Sequence, residues 1–189
     1  MGLENPGAFD VVTHTLFFRL LGPIYKKYTR SLGLQGNEKI LEFGCGSGEA
    51  SHYLAALLLK AGGHLTCLDI SETWIKAVKK RLKKYPNIDF LTGDILKLAF
   101  DQASYDGVFI HYVLHDIDPG LRLQVTRSLA ALLKKGGKIF IREPNKAGHG
   151  ISPDEIKKLM SECGLIEIRG ITEKNLFLGT FFTGIFNKP

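Results

Sequence analysis

Hydrophobic and polar positions along the 189 residues switch between two periods. Five short apolar runs have the length and the β-branched and aromatic content of strands: KILEF (39–43), HLTCLDI (64–70), IDFLTG (88–93), YDGVFIHY (105–112) and KIFIRE (138–143). The stretches between them carry helical spacing. One helix is expected from about Ser47 to Ala61, and a second from its cap Ser71 to about Lys84. A third is expected from Pro119 to Lys134, closed by Gly136-Gly137. SPDE (152–155) is a capping box with proline at the first helical position, and its helix runs to about Cys163, where Gly164 ends it. Strand–helix alternation implies an α/β fold, a mostly parallel sheet with helices on both faces. LIEIRGI and FLGTFFTGIF then follow with no helix between them, so an antiparallel C-terminal edge pair completes a seven-stranded sheet.

The first 35 residues differ. FDVVTHTLFFRLLGPIYKKYTRSLGL is rich in aromatics at helical spacing and is broken by Gly22-Pro23. It reads as a short N-terminal helical cap (1–35) on a core of residues 36–189, the whole forming a single domain. Phe17, Phe18, Tyr25 and Tyr28 either cover the sheet or close over a substrate. Tyr25 and Tyr28 are the substrate-binding candidates there.

Composition narrows the class. With 44% hydrophobic and 23% charged residues, the chain reads as an ordinary soluble globular protein. Cys45, Cys67 and Cys163 form no CxxC pair and no disulfide framework, which points to no metal site and to the reducing cytoplasm. No secretory signal is visible, and the apolar runs fall short of the roughly 20 residues that span a bilayer, so no membrane partner is expected. The net charge of +6 comes from lysine and arginine spread over separate segments, KKRLKK (79–84) among them. Solvated helix faces account for these more simply than a nucleic-acid surface does.

Chemistry enters at ILEFGCGSGEAS (40–51), where a strand hands over to a helix through Gly44, Gly46 and Gly48. Glycine permits positive φ and leaves room for a ligand against the backbone. The spacing is GxGxG rather than GxGxxG, Glu49 opens the helix, and no GxxxxGK[ST] occurs, so a phosphate-rich cofactor is disfavoured. Asp69 ends the second strand, where a carboxylate accepts ribose hydroxyls. Gly93, Asp94 and Ile95 end the third, where Asp94 would accept from an adenine amine between Ile70 and Ile95. In order, these strand ends describe an adenosine site without phosphates.

Over residues 36–189 the chain resembles the class I S-adenosylmethionine-dependent methyltransferases, through ILEFGCGSG, CLDIS, TGDI, DGVFIHYVLHDI, LLKKGGKIFIREP and SPDEIKKLMSECGLIEI. Its flavour is closest to the small-molecule enzymes of ubiquinone and menaquinone biosynthesis. The resemblance implies that Gly44, Cys45, Gly46 and Gly48 hold the methionine end of S-adenosylmethionine, with Glu42 ordering its ammonium. It implies ribose binding by Asp69 and adenine binding by Ile70, Gly93, Asp94 and Ile95. Trp74 would lie beside the adenosine or simply pack with Val78 and Leu82, and His111 would line the methionine end. The product would be S-adenosylhomocysteine.

Methyl transfer from a sulfonium needs alignment above all, and a base only where the acceptor must lose a proton. HYVLHD (111–116) supplies two histidines, so His111 and His115 are the catalytic candidates, with Asp116 as an orienting group. His115 is also a substrate-binding candidate. The [DNS]PP[YFW] signature of amino-methylating nucleic-acid enzymes is absent, and IHYV stands in its place. The expected function is therefore methylation of a small molecule. An RNA or protein methyltransferase, or a non-catalytic cofactor-binding scaffold, is the alternative. The acceptor, its reacting atom and the oligomeric state are not specified by the sequence.

Overall fold

The computed structural model describes residues 6, 7, 11, 13, 16, 17, 19–146, 148–175 and 179–189; Phe18 lies outside them. Beyond the helical residues between 11 and 20 and two single-turn 3-10 helices (Leu59–Ala61 and Leu114–Asp116), the elements are α1 (Gly22–Arg30), β1 (Lys39–Phe43), α2 (Glu49–Leu58), β2 (His64–Asp69), α3 (Glu72–Leu82), β3 (Ile88–Thr92), β4 (Tyr105–His111), α4 (Pro119–Leu132), β5 (Leu133–Pro144), α5 (Pro153–Glu162), β6 (Ile166–Asn175) and β7 (Gly179–Asn187). The strand order is β3-β2-β1-β4-β5-β7-β6. The β1–β2, β2–β3 and β4–β5 ladders are parallel, and β5–β7 and β7–β6 are antiparallel, the arrangement expected from the alternation and its terminal pair. The chain divides into two compact units, Met1–Asp94 and Ile95–Pro189.

In the first unit β2 is buried along nearly its whole length, as a strand covered on both faces must be. Leu54 and Leu58 of α2 and Val78 and Leu82 of α3 are almost wholly excluded from solvent with Leu65 and Leu68. Each such side chain contributes about 1.5–3 kcal/mol. Ser71 caps α3 as its sequence predicts, its hydroxyl accepting from Trp74 N–H at 3.4 Å. α2 starts two residues later than expected, because Gly48 holds the cap position in the left-handed region (φ +75). All three glycines therefore belong to the loop. The helical residues before it end at Leu20, Leu21 is a turn, and Gly22-Pro23 opens α1, so the break falls where the sequence predicts it.

In the second unit Val108, Phe109 and Ile110 of β4, Ile139 and Ile141 of β5, and Phe182 and Phe186 of β7 form the core. Gly136-Gly137 does not close α4, contrary to expectation. The helix stops at Leu132, and the chain enters β5 at once. The ladder pairs Tyr105 with Leu133 and next Gly107 with Lys138, so the residues between bulge out of register. The carbonyls at the helix end are capped from elsewhere: the Lys188 ammonium donates to Ala130 O at 3.0 Å and Leu133 O at 2.8 Å. α5 begins at its capping box, where Ser152 Oγ accepts from Glu155 N–H at 3.1 Å.

Candidate functional site

The first unit presents the glycine loop. Gly44, Gly46 and Gly48 have φ of +74, +48 and +75. The three have different reasons to be glycine. A Cβ on Gly48 would stand 2.2 Å from Val78 Cγ2, so this position serves packing. A Cβ on Gly46 would meet nothing within 4 Å, so that face of the loop is open. The loop is tied to β2 by Gly44 and Cys45 N–H groups donating to Leu68 O at 2.8 and 3.1 Å.

Asp69 accepts from Gly46 N–H at 2.8 Å and from Ser71 N–H at 2.9 Å. The carboxylate thus holds the loop in shape, and lone pairs remain for further donors. Burial raises its pKa, and the backbone bonds from Ser71 and Gly46 oppose that rise. Beside it, Ile70 is 57% exposed, an apolar surface at the strand end. Gly93 N–H donates to Asp69 O at 3.0 Å, which sets the β3 end against β2. Asp94, half-buried, closes this unit.

Glu42 is buried beneath the loop, and burial pushes its pKa up to about 7. The Cys67 thiol donates to its Oε2 at 3.5 Å. Contact with Cys67 and burial push the Cys45 thiol well above its ordinary range, so it is no nucleophile. Trp74 is buried with Ile75, Val78 and Leu82 on the inner face of α3, the packing arrangement its helix pattern allowed. Tyr25 and Tyr28 are buried on α1, which packs on α2. Glu49, which argued against a phosphate cofactor, is buried and paired with Arg81, whose guanidinium also donates to Ser47 O at 2.9 Å. The sequence reading passed over this arginine, because KKRLKK reads as a solvated face.

The second unit holds Ile95, which is buried, and both histidine candidates. His111 ends β4, its ring stacked on Phe109 at 5.9 Å and 4.4 Å from the Tyr112 ring. Burial and the Arg142 charge push its pKa down to about 3, so it is neutral and a weak base near pH 7. Tyr112 follows in the left-handed region (φ +58), unusual for an aromatic residue, and its buried hydroxyl has no hydrogen-bond partner among the described residues.

His115 is different. Its Nδ1 lies 2.7 Å from Glu143 Oε2. The Glu143 carboxylate, at the end of β5 and fully buried, also accepts from Val113, Leu114 and His115 N–H groups at 2.9, 2.8 and 3.3 Å. With Nδ1–H held by the carboxylate, Nε2 carries the lone pair. Burial disfavours the imidazolium, but the Glu143 hydrogen bond and charge, helped by Asp116, outweigh it and raise the pKa overall. Arg122 fixes the loop from below, donating to His115 O at 2.9 Å, Ile117 O at 3.0 Å and Glu155 Oε1 at 2.6 Å. The His149 ring meets that of His115 edge-on at 5.0 Å. The ligand atoms of His115, Asp116 and His149 lie within 4.8 Å of one another, a grouping their sequence spacing does not announce. Asp116, expected as an orienting group, stands 3.4 Å from Nε2; Glu143 does the orienting. Sequence reasoning named neither Glu143 nor Arg122. The apolar strand running into Glu143 was the available signal, because it puts a carboxylate at a buried strand end.

Residues 40–137, more than half the chain, match the family model described as a methyltransferase domain. The chain belongs to this family. A demethylmenaquinone methyltransferase from Clavibacter sepedonicus is 33% identical over 116 residues, 61% of this chain and 44% of that protein. A ubiquinone biosynthesis O-methyltransferase from Xanthomonas axonopodis pv. citri is 29% identical over 129 residues, 67% of this chain and 51% of that protein. The chain thus spans about half the length of these curated relatives. Among solved structures, the Bradyrhizobium japonicum N-methyltransferase NodS in complex with S-adenosylhomocysteine superposes with a TM-score of 0.74 at 20% identity, covering 90% of this chain and 87% of that one. That likeness is one of fold, the Rossmann-like fold of class I S-adenosylmethionine-dependent methyltransferases.

The residues present suit that family's cofactor. The loop is open where a Gly46 Cβ would stand. Asp69 is bonded to the loop, Glu42 is buried two residues before Gly44, and the one cation at the loop, Arg81, is taken up by Glu49 and Ser47 O, an acceptor set for an ammonium and for hydroxyls rather than for phosphates.

Proposed function

We infer that this methyltransferase uses S-adenosylmethionine to methylate a small aromatic acceptor bearing an ionisable hydroxyl, with His115 as the general base. The clamp of His115 by Glu143 carries the reading. An imidazole with Nδ1 fixed on a buried carboxylate is held in one tautomer, and its Nε2, 3.4 Å from the exposed Asp116 carboxylate, is the nitrogen that would accept a proton. The name of the ubiquinone biosynthesis O-methyltransferase supports methylation at an oxygen, and that of the demethylmenaquinone methyltransferase supports a quinone-like ring.

Gly44, Gly46, Glu42 and Asp69 would hold the cofactor, with Asp69 on its ribose hydroxyls, Glu42 towards its ammonium, and Ile70, Gly93, Asp94 and Ile95 at its adenine. When bound, S-adenosylmethionine supplies an electrophilic methyl group on a positively charged sulfur. His115 Nε2 would take the hydroxyl proton and leave the acceptor oxygen's electron pair free for the methyl group, which would part from sulfur to leave neutral S-adenosylhomocysteine. Glu143 stabilises the imidazolium that results, and Arg122 keeps the loop from moving as charge develops. His111, neutral and stacked, shapes the site rather than moving a proton. The Tyr112 hydroxyl is a donor that a bound acceptor's oxygen would satisfy.

The free thiols of Cys45, Cys67 and Cys163 support a reducing, cytoplasmic location. The function is tested by screening phenols and hydroquinones for methyl transfer, with the wild type and His115→Gln compared across pH. Turnover should fall in the wild type as pH drops through a pKa above the ordinary histidine value, and the variant should lose it. Equal turnover in the variant would remove His115 from the chemistry.

A further inference from the structure

The segment ahead of the glycine loop has a charge distribution that methyl transfer does not explain. Between Asp10 and Glu38 the chain carries Arg19, Lys26, Lys27 and Arg30 and no acidic residue. These residues thus account for four of the net +6 charges. All four side chains are exposed. Val11, Thr13, Leu16, Phe17, Arg19 and Leu20 are helical. Among them stand three strongly exposed large apolar side chains: Leu16 at 61%, Phe17 at 55% and Leu20 at 76%. The opposite side of the segment is firmly held. Leu21, Tyr25, Tyr28 and Leu32 are buried, and a Cβ on Gly22 would stand only 2.7 Å from the Tyr53 hydroxyl. The apolar and cationic groups are therefore presented outward from an anchored base.

We propose that this segment seats the protein on an anionic lipid surface, with Leu16, Phe17 and Leu20 entering the headgroup–acyl boundary and the four cations on the headgroups. Apolar side chains flanked by lysine and arginine are the composition of interfacial helices. A second copy of the chain is the poorer occupant, because it would bring four like charges against four. A nucleic acid would pair with the cations but leave the three apolar side chains without a role. The sequence reading expected no membrane partner, and no helix among the described residues is long and apolar enough to cross a bilayer. Lying on a surface requires neither. The inference does not depend on turnover or on the identity of the acceptor.

The test is cosedimentation of the whole chain with phosphatidylglycerol–phosphatidylcholine vesicles and with pure phosphatidylcholine vesicles, at low and high salt. The wild type should partition onto the anionic vesicles, and salt should weaken it. Replacing both Lys26 and Lys27 by glutamine should weaken partitioning roughly twenty-five-fold, at about fivefold per cation. Leu20→Glu should weaken it as well. These positions are exposed, so unchanged thermal melts and unchanged S-adenosylhomocysteine affinity should accompany the loss. No binding by the folded wild type, equal binding to neutral vesicles, or unaltered binding by the lysine variant would each overturn the proposal. A dimer in sedimentation velocity without vesicle binding would overturn it in favour of a second copy.

Discussion

The loop after β1 and the loop after β4 are held by the same device put to different uses. In each, a carboxylate at the end of the neighbouring parallel strand accepts at least one backbone N–H group of the loop. Asp69, at the end of β2, takes Gly46 N–H and Ser71 N–H and keeps capacity to spare beside the exposed Ile70. Glu143, at the end of β5, is fully buried and accepts three backbone N–H groups and the His115 ring. The first carboxylate can shape a loop and still meet a ligand. The second is used up internally and can act on a substrate only through His115. One loop is built for binding with backbone and open space; the other is built for proton transfer with a side-chain network.

The sharpest challenge to that contrast lies within the glycine loop. Gly48→Ala combines positive φ with a 2.2 Å approach to Val78 Cγ2. We expect it to cost about 3–5 kcal/mol of stability, read from denaturant midpoints. A variant as stable as the wild type would show that the loop tolerates side chains where the account says it cannot.

Comparable in energy but different in kind is His115→Gln. The expected loss is about 10²–10⁴ in kcat with stability and cofactor affinity little changed. Its companion Glu143→Gln removes the charge that raises the His115 pKa. The active form is the neutral imidazole, so the acid limb of the rate profile should move to lower pH while kcat drops. A limb that stays in place would detach Glu143 from the titration.

Asp69→Ala should weaken cofactor binding by about 1–3 kcal/mol, since a charged acceptor of hydrogen bonds is lost. Unaltered affinity in a folded variant would leave Asp69 with a loop-holding role alone.

The smallest effect is a proton. With a folded pKa of about 7 against an ordinary 4.5, Glu42 favours folding in its neutral form. That contribution is fully present below the ordinary value and is lost as pH rises through about 7. An ammonium arriving beside it should expel the proton, so cofactor binding at about pH 6 should release just under one proton and almost none at about pH 8. Calorimetry in buffers of different ionisation enthalpy measures this. No release at the lower pH would place the ammonium elsewhere.

These two regions also differ in how far they could be read from the chain. The glycine loop, Asp69 and Asp94 fall at successive strand ends, and the strand–helix period itself brings them to one edge. The sheet and its terminal pair were legible for the same reason. Glu143 meets His115 across 28 residues, and Arg122 meets Glu155 across 33. Which of several charged side chains a loop turns inward depends on packing that no local period encodes. The end of α4 was misjudged on similar grounds, because its cap is Lys188, more than fifty residues away in sequence. Gly46 and Gly48 look alike in the sequence, and only the neighbouring Val78 separates their roles.

The most direct test is a calorimetric titration of S-adenosylhomocysteine into the wild type, Gly46→Ala and His115→Gln. The account predicts binding by the wild type, the same affinity within about twofold for His115→Gln, and a loss of about tenfold or more for a folded Gly46→Ala. Equal affinity in Gly46→Ala, or loss of binding in His115→Gln, would contradict the separation of a binding loop from a proton-transfer loop.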